Sequence, residues 1–120
     1  MSIRLVPFCK VVVTPGPPVD LGGTPSGRRI MVNIVDSVWE GETFNAKLKS
    51  GTAAGDWMII GADGTAMIDI RLTLETHDGA LVYVSYYGRR NFTEVEKVVD
   101  APVYIAPLFE TCDPRYEWIN

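Results

Sequence analysis

Hydrophobic and polar positions alternate with a period of two along most of the chain, which is typical of β-strands rather than helices. The clearest alternation runs through residues 42–49, where Phe44, Ala46 and Leu48 share one face. Further strands are predicted at residues 3–13, 28–35, 56–60, 65–76, 80–89 and 103–110. Short strands separated by turn signals are typical of a β-sandwich or a barrel.

Two stretches break this pattern. The run Pro15-Gly16-Pro17-Pro18 lacks the N–H groups that a central strand needs, so a loop is predicted over residues 15–27. Thr93 and Glu96 have the spacing of a capping box, so a short helix is predicted over residues 93–99. Because we find neither an internal repeat nor a linker, we expect one domain over residues 1–120.

A hairpin is predicted around Asp78 and Gly79, because Asp-Gly lies between two apolar runs. A two-residue loop would pair His77 with Ala80, whereas a three-residue loop with a left-handed Gly79 would pair Thr76 with Ala80. We prefer the three-residue loop because it segregates polar from apolar side chains. One side of the hairpin, the polar hairpin face, then carries Asp69, Arg71, Thr73, Tyr83, Ser85 and Tyr87. The other side, the apolar hairpin face, carries Ile68, Ile70, Leu72, Leu74, Val82, Val84 and Tyr86.

Composition and charge exclude several classes of function. Lys and Arg total 11 against 15 Asp and Glu, and this net charge of −4 disfavours a nucleic-acid partner. One histidine and two distant cysteines provide no zinc-ligand spacing, so we expect neither a metal nor another cofactor. A signal-peptide pattern and an apolar run of membrane-spanning length are both missing. We therefore expect a cytoplasmic protein without a membrane partner, with Cys9 and Cys112 as free, buried thiols.

The polar hairpin face carries the candidate chemistry. If it lines a barrel interior, Asp69 and Arg71 would pair there, and the guanidinium would favour the charged carboxylate. Asp69 would act as general base or orienting acid, Arg71 as its partner or an oxyanion stabiliser, and Tyr83 as a proton donor. On a solvated sheet face the same residues would form only a surface salt bridge. The side chains expected to bind a substrate are those of Trp39, Trp57, Ser85, Tyr87 and Glu110.

Several segments, taken in order, resemble the DUF3237 family, which is also called UPF0311. They are residues 16–29 (GPPVDLGGTPSGRR), 39–41 (WEG), 56–57 (DW), 69–71 (DIR), 76–83 (THDGALVY), 107–111 (PLFET) and 116–120 (YEWIN). The resemblance implies a small antiparallel β-barrel but no particular reaction. Trp39 stands where family members usually have Phe, and a larger ring there would reshape a pocket. The family also continues beyond the last segment into at least one further strand, so either this sequence is truncated or the barrel lacks a closing strand.

Together these observations predict an all-β chain, a single antiparallel β-barrel of calycin-like design with about 7–8 strands and one short helix. The leading hypothesis is a cofactor-free enzyme that isomerises, cyclises, hydrates or dehydrates a small, largely apolar substrate. The alternatives are a small-molecule binding barrel without catalysis and an oligomeric structural protein. A position of Asp69 and Arg71 in the barrel lumen would support the first two hypotheses, and a solvent position the third.

A homo-oligomer, most simply a dimer, is expected from the same arrangement. If the polar hairpin face lines the interior, the apolar hairpin face lies outside and exposes more apolar area than monomers usually do. A second copy related by a two-fold axis would cover it. The helix at residues 93–99 and the proline-rich loop are the alternative cover within one subunit.

Overall fold

The protein is described here by a computed structural model in which residues 1–91 and 103–120 are defined. Most of these residues lie in strands β1 (Cys9–Thr24), β2 (Gly27–Gly41), β3 (Asn45–Leu48), β4 (Gly55–Ile60), β5 (Thr65–Thr76), β6 (Leu81–Asn91), β7 (Tyr104–Ile105) and β8 (Leu108–Glu110). A single 3-10 turn, Glu117–Ile119, follows β8 in the described part of the chain. The predicted all-β fold is thereby confirmed, while the helix predicted over residues 93–99 lies outside the described residues.

The described strands form one antiparallel sheet. Its order is β1-β2-β3-β5-β6-β7, with β4 pairing with β2 and β5, and β8 pairing with β6. Phe8, just before β1, packs against Phe109 of β8 with 5.9 Å between ring centroids. The start of β1 therefore approaches β8, which pairs with β6 near the other end of the strand order, as in a barrel.

The β5–β6 hairpin has the predicted three-residue loop. The Thr76 N–H donates to the Ala80 carbonyl at 2.8 Å, and the Gly79 N–H donates to the Thr76 carbonyl at 3.0 Å. Gly79 has a φ of +91°, a left-handed conformation that favours glycine. Beyond the loop, Glu75 pairs with Leu81 and the ladder continues in that register. The predicted division of the hairpin into a polar and an apolar face is confirmed.

The apolar hairpin face fills the interior of the sheet. Leu72, Leu74, Val82 and Val84 are fully buried and belong to a core that also contains an aromatic cluster. The hypothesis that the polar hairpin face lines the interior is therefore wrong. Burying each aliphatic side chain contributes about 1.5–3 kcal/mol, whereas burying an Asp–Arg pair requires both charges to lose water. The outer apolar patch from which we expected a dimer is consequently absent from this hairpin.

The aromatic cluster closes one end of the core around Phe44. The ring of Phe8 stacks on Phe44 at 5.5 Å, and Trp39, Phe109 and Tyr116 pack edge-on against it at 5.9–6.3 Å. These contacts join the start of β1, the end of β2, β8 and the C-terminal turn. Edge-to-face aromatic pairs of this kind add stability beyond the area they bury.

Strand β1 differs from the prediction. Residues 3–8 precede the strand, and the stretch predicted as a loop over residues 15–27 is mostly strand, with a turn only at Pro25 and Ser26. Prolines are tolerated in β1 because, among the described strands, it pairs with β2 alone. The ladder shifts register between Thr14 and Pro15 and again between Pro15 and Pro18. The pattern of apolar residues alone does not signal such a bulged edge strand.

The C-terminal segment is fastened to the hairpin loop through Asp78. The Asp78 carboxylate accepts hydrogen bonds from the Thr76 hydroxyl at 2.6 Å and from the Tyr116 hydroxyl at 2.8 Å. An Arg115 N–H donates to the Asp78 carbonyl at 3.0 Å. These hydrogen bonds to the carboxylate, with the nearby Arg115 charge, hold the pKa of Asp78 below its usual 3.8.

Three remaining features are the two cysteines, the last predicted strand and the length of the helices. Cys9 and Cys112 are both free, but only Cys9 is partly buried, while Cys112 is exposed. The run predicted as one strand over residues 103–110 is divided into β7 and β8, because Ala106 and Pro107 interrupt the pairing with β6. Within residues 1–91 and 103–120, no helix is long and apolar enough to cross a membrane.

Candidate functional site

Most of the predicted site residues come together, but on the solvent side of the sheet. In the ladders, Asp69 pairs with Tyr87, Arg71 with Ser85, and Tyr83 with Glu110, so each pair shares that side. Trp57 lies on the same side, with the Arg71 guanidinium 5.1 Å from the centre of its ring. The sequence therefore identified a real cluster but assigned it to the wrong side of the sheet.

The ion pair at the centre of this cluster is open to water. Arg71 Nη2 lies 3.4 Å from Asp69 Oδ2, and the two side chains are 53% and 22% exposed. Water and salt compete with such a pair, and exposed ion pairs contribute little to stability. A proton-transfer site works best where water is excluded, and this cluster is open to water.

Trp39 does not belong to the cluster. It is 1% exposed, and its indole N–H donates to the Ser37 hydroxyl at 2.9 Å. Its ring packs edge-on against Phe44 and Phe109. The structure thus places the residue expected in a pocket wall in the hydrophobic core.

A different carboxyl group, that of Asp56 on β4, lies in the interior. Asp56 is 8% exposed and pairs with Val32 on one side and Ile70 on the other. Its Oδ1 accepts a hydrogen bond from the Asp69 backbone N–H at 3.0 Å. Burial raises the pKa of Asp56 above the usual 3.8, and the Asp69 carboxylate raises it further, while the Asp69 N–H opposes the shift. Asp56 therefore keeps its proton to a higher pH than an exposed aspartate.

Tyr86 lies near this carboxyl on the same interior face. It pairs with Ile70, the residue that also pairs with Asp56, and it is almost fully buried. Burial, with a smaller effect from the Asp56 charge, raises the pKa of Tyr86 to about 12. The phenol therefore stays protonated at neutral pH, and of the two groups only Asp56 can readily lose its proton.

A cavity of about 350 Å³ has Asp56 and Trp57 in its wall. The remainder of the wall comes from β1, β2 and the segment before β4, and includes Pro17, Val19, Met31, Val32, Ala53 and Ala54. This volume lies within the range of small-molecule sites, which combine mostly apolar walls with a few polar groups. A buried carboxyl with a perturbed pKa beside such a cavity is a candidate functional group.

Sequence reasoning noted Asp56 only as the neighbour of Trp57. The sequence nevertheless indicates a buried acid in the strand over residues 56–60, where Asp56 shares one face with Met58 and Ile60. One acid among apolar side chains on a strand face must be buried with a partner or with a perturbed pKa. Tyr86, a hydroxyl on the apolar hairpin face, is a second signal of the same kind.

The fold and the site define a small, antiparallel, β-barrel-like protein with a ligand-sized cavity. The family model of DUF3237, described as a protein of unknown function, matches residues 3–120. The chain belongs to this family, and the resemblance seen in the sequence is confirmed.

Three similar proteins extend this assignment. A UPF0311 protein of Clostridium acetobutylicum is 31% identical over 103 residues, which cover 78% of this chain and 64% of that protein. The hydroalkoxylation enzyme phnH of Penicillium herquei is 27% identical over 108 residues, covering 90% of this chain and 62% of the enzyme. The chain therefore spans less than two-thirds of the length of both proteins. A crystal structure of a β-barrel-like protein from Acinetobacter baumannii superposes with a TM-score of 0.73 at 28% identity, covering 98% of this chain and 85% of that one.

Proposed function

We propose that this protein is an acid/base catalyst that needs no cofactor. It adds the O–H of a hydroxyl group across a C=C bond of a small, largely apolar molecule. Asp56 is the group that transfers the proton. The observation that carries the proposal is a carboxyl group buried in the wall of a small cavity, with its pKa raised. The assignment of Asp69, Arg71 and Tyr83 as catalytic groups remains the competing prediction.

The reaction class is supported by chemistry and by a relative. Hydroalkoxylation joins an alcohol O–H to an alkene, and the Penicillium herquei relative is named as an enzyme of this type. The reaction classes predicted from the sequence are isomerisation, cyclisation, hydration and dehydration, and cyclisation and hydration need the same proton movements. A buried carboxyl whose pKa is raised keeps its proton to a higher pH than an exposed one, and such a group can both give and take a proton.

In the proposed step, Asp56 gives one proton to the substrate and takes one proton back. The protonated carboxyl transfers its proton to one alkene carbon, and the substrate hydroxyl oxygen bonds to the other carbon. The carboxylate then takes the proton released by that oxygen, which returns Asp56 to its starting state. The product has one new C–H bond and one new C–O bond, and nothing is oxidised or reduced.

The experiment uses a set of alkenols, each with a hydroxyl group and a C=C bond placed to close a cyclic ether. Reactions run in D₂O buffer, and mass spectrometry detects the ether with one deuterium on carbon. We expect Asp56→Asn to lower turnover at least about 100-fold, since general acid–base catalysis contributes roughly 10²–10⁴. Asp69→Asn, a charge-removing control on the neighbouring strand, should change turnover only a few-fold.

The competing outcomes are distinct. If Asp69→Asn abolishes turnover and Asp56→Asn does not, the exposed cluster is the active site and the proposal fails. If the wild-type chain is stabilised against heat by an alkenol but converts none of them, the protein is a binding barrel. That second function is favoured by the mostly apolar wall of the cavity around Asp56.

A further inference from the structure

The polar hairpin face, together with Trp57, has the composition of a protein–protein interface. Trp57, Tyr83 and Tyr87 are 37%, 37% and 64% exposed, and Arg71 stacks on Trp57. Tyr, Trp and Arg are enriched in interfaces relative to the rest of a protein surface. These three residues together expose on the order of 300 Å², more than a third of the roughly 800 Å² that one partner contributes to a standard interface.

The register of the hairpin makes this surface complementary to itself. Asp69 and Arg71 lie on either side of Ile70 along β5. Consider two copies whose polar hairpin faces meet, with a two-fold axis between them that is perpendicular to the strands at the level of Ile70. This axis reverses the strand direction, so it sets each Arg71 opposite the partner's Asp69. An axis that runs along β5 would instead set like charges opposite each other, which is unfavourable.

Side-chain sizes on β6 match the same axis. Tyr87 pairs with Asp69 in the ladder, and Ser85 pairs with Arg71. The axis that exchanges the levels of Asp69 and Arg71 therefore sets Tyr87 opposite the partner's Ser85. A large ring then meets a small side chain on both sides of the axis, as close packing between two sheets requires.

We propose that two copies of this chain associate through the polar hairpin face and Trp57, with reciprocal Asp69–Arg71 ion pairs across a two-fold axis at Ile70. The occupant is a second copy because both the charges and the sizes are complementary to themselves, a property of two-fold interfaces. This surface is not the apolar patch from which the sequence suggested a dimer. The proposal does not depend on the catalytic role of Asp56.

Charge-reversal variants and their mixture provide the test. Sedimentation equilibrium at micromolar concentration should give the wild-type chain twice its 13.3 kDa mass. Asp69→Arg makes both central positions positive and Arg71→Asp makes both negative, so each variant alone should be monomeric. An equimolar mixture of the two should regain the dimer mass, because every pair across the axis is again opposite in charge. Lys10→Glu, a reversal at an exposed residue of β1, should leave the dimer intact.

Several results would overturn the proposal. A wild-type mass of 13.3 kDa, a dimer that survives either single reversal, or a mixture that stays monomeric would each do so. Circular dichroism checks that the variants are folded. If Asp69→Arg does not fold, Tyr87→Glu gives a second reading, since Tyr87 is mostly exposed and its change should dissociate the dimer without unfolding the chain.

Discussion

Replacing Asp56 by Asn should remove the proposed proton carrier without weakening the fold. Asn keeps an oxygen that can accept the Asp69 N–H bond, which is 3.0 Å long in the native chain, and removes a charge that is largely excluded from water. Asp56→Ala removes the acceptor as well and leaves the Asp69 N–H without its partner. A lost hydrogen bond of this kind costs about 1–3 kcal/mol. We therefore expect Asp56→Asn to be at least as stable as the wild type at pH 7, and Asp56→Ala to be about 1–3 kcal/mol less stable than Asp56→Asn.

The difference in stability between Asp56→Asn and the wild type should depend on pH in one direction. Because the pKa of Asp56 is raised in the folded state, folding favours its protonated form. The corresponding stability is present below pH 3.8 and is lost as the pH rises through the folded-state pKa. Each tenfold difference in proton affinity between the folded and unfolded states corresponds to about 1.4 kcal/mol. The stability of Asp56→Asn relative to wild type should increase across that window and then level off.

Urea denaturation followed by tryptophan fluorescence at several pH values measures both effects. The other carboxylates titrate in both proteins and cancel in the difference between them. If Asp56→Asn is as destabilised at pH 7 as Asp56→Ala, the ionised carboxylate stabilises the fold, and the reasoning about its desolvation is refuted.

Three further substitutions, two of them with a control variant, test the fold by chemical denaturation. Gly79→Ala should cost about 1–2 kcal/mol, because φ is +91° there, while Gly23→Ala, which meets nothing within 4 Å, should be close to neutral. Thr76→Val should cost about 1–3 kcal/mol, because the Thr76 hydroxyl accepts the buried Ala80 N–H at 2.8 Å, and Thr76→Ser should restore most of that loss. Phe44→Ala should cost about 3–5 kcal/mol, because a fully buried ring in contact with four other rings leaves a cavity. Equal losses for the two glycine variants, or for Thr76→Ser and Thr76→Val, would contradict these assignments.

The β5–β6 hairpin was predictable because its signals are local. The Asp78-Gly79 turn allows two registers, and the segregation of polar from apolar side chains favours the one that the structure has. Strand β1 was not predictable in the same way, since prolines end a central strand but are tolerated where a strand pairs on one side. Which strand lies at an edge is decided by the whole sheet rather than by the local sequence.

The candidate site was harder to predict than the fold. Alternation shows that Asp69 and Arg71 share a face with Tyr83 and Tyr87. It does not show which face of the hairpin is buried and which is exposed to solvent. The cost of removing the Asp69 and Arg71 charges from water favours the apolar hairpin face as the interior, whereas the hypothesis of a polar pocket places the other face there. Asp56 is hard to recognise because its strand is apolar on both faces. The buried acid is evident only from the fact that Asp56 shares a face with Met58.

The pKa of Asp56 is the most direct test of the central claim. In protein labelled with ¹³C-aspartate, the Asp56 carboxyl resonance is identified by its loss in Asp56→Asn and followed as the pH is raised. The account predicts a titration midpoint above 3.8, the usual value for an aspartate, because burial and the Asp69 carboxylate both favour the protonated form. A midpoint at or below 3.8 would contradict it, because Asp56 would then be an ordinary ionised carboxylate with no proton to donate.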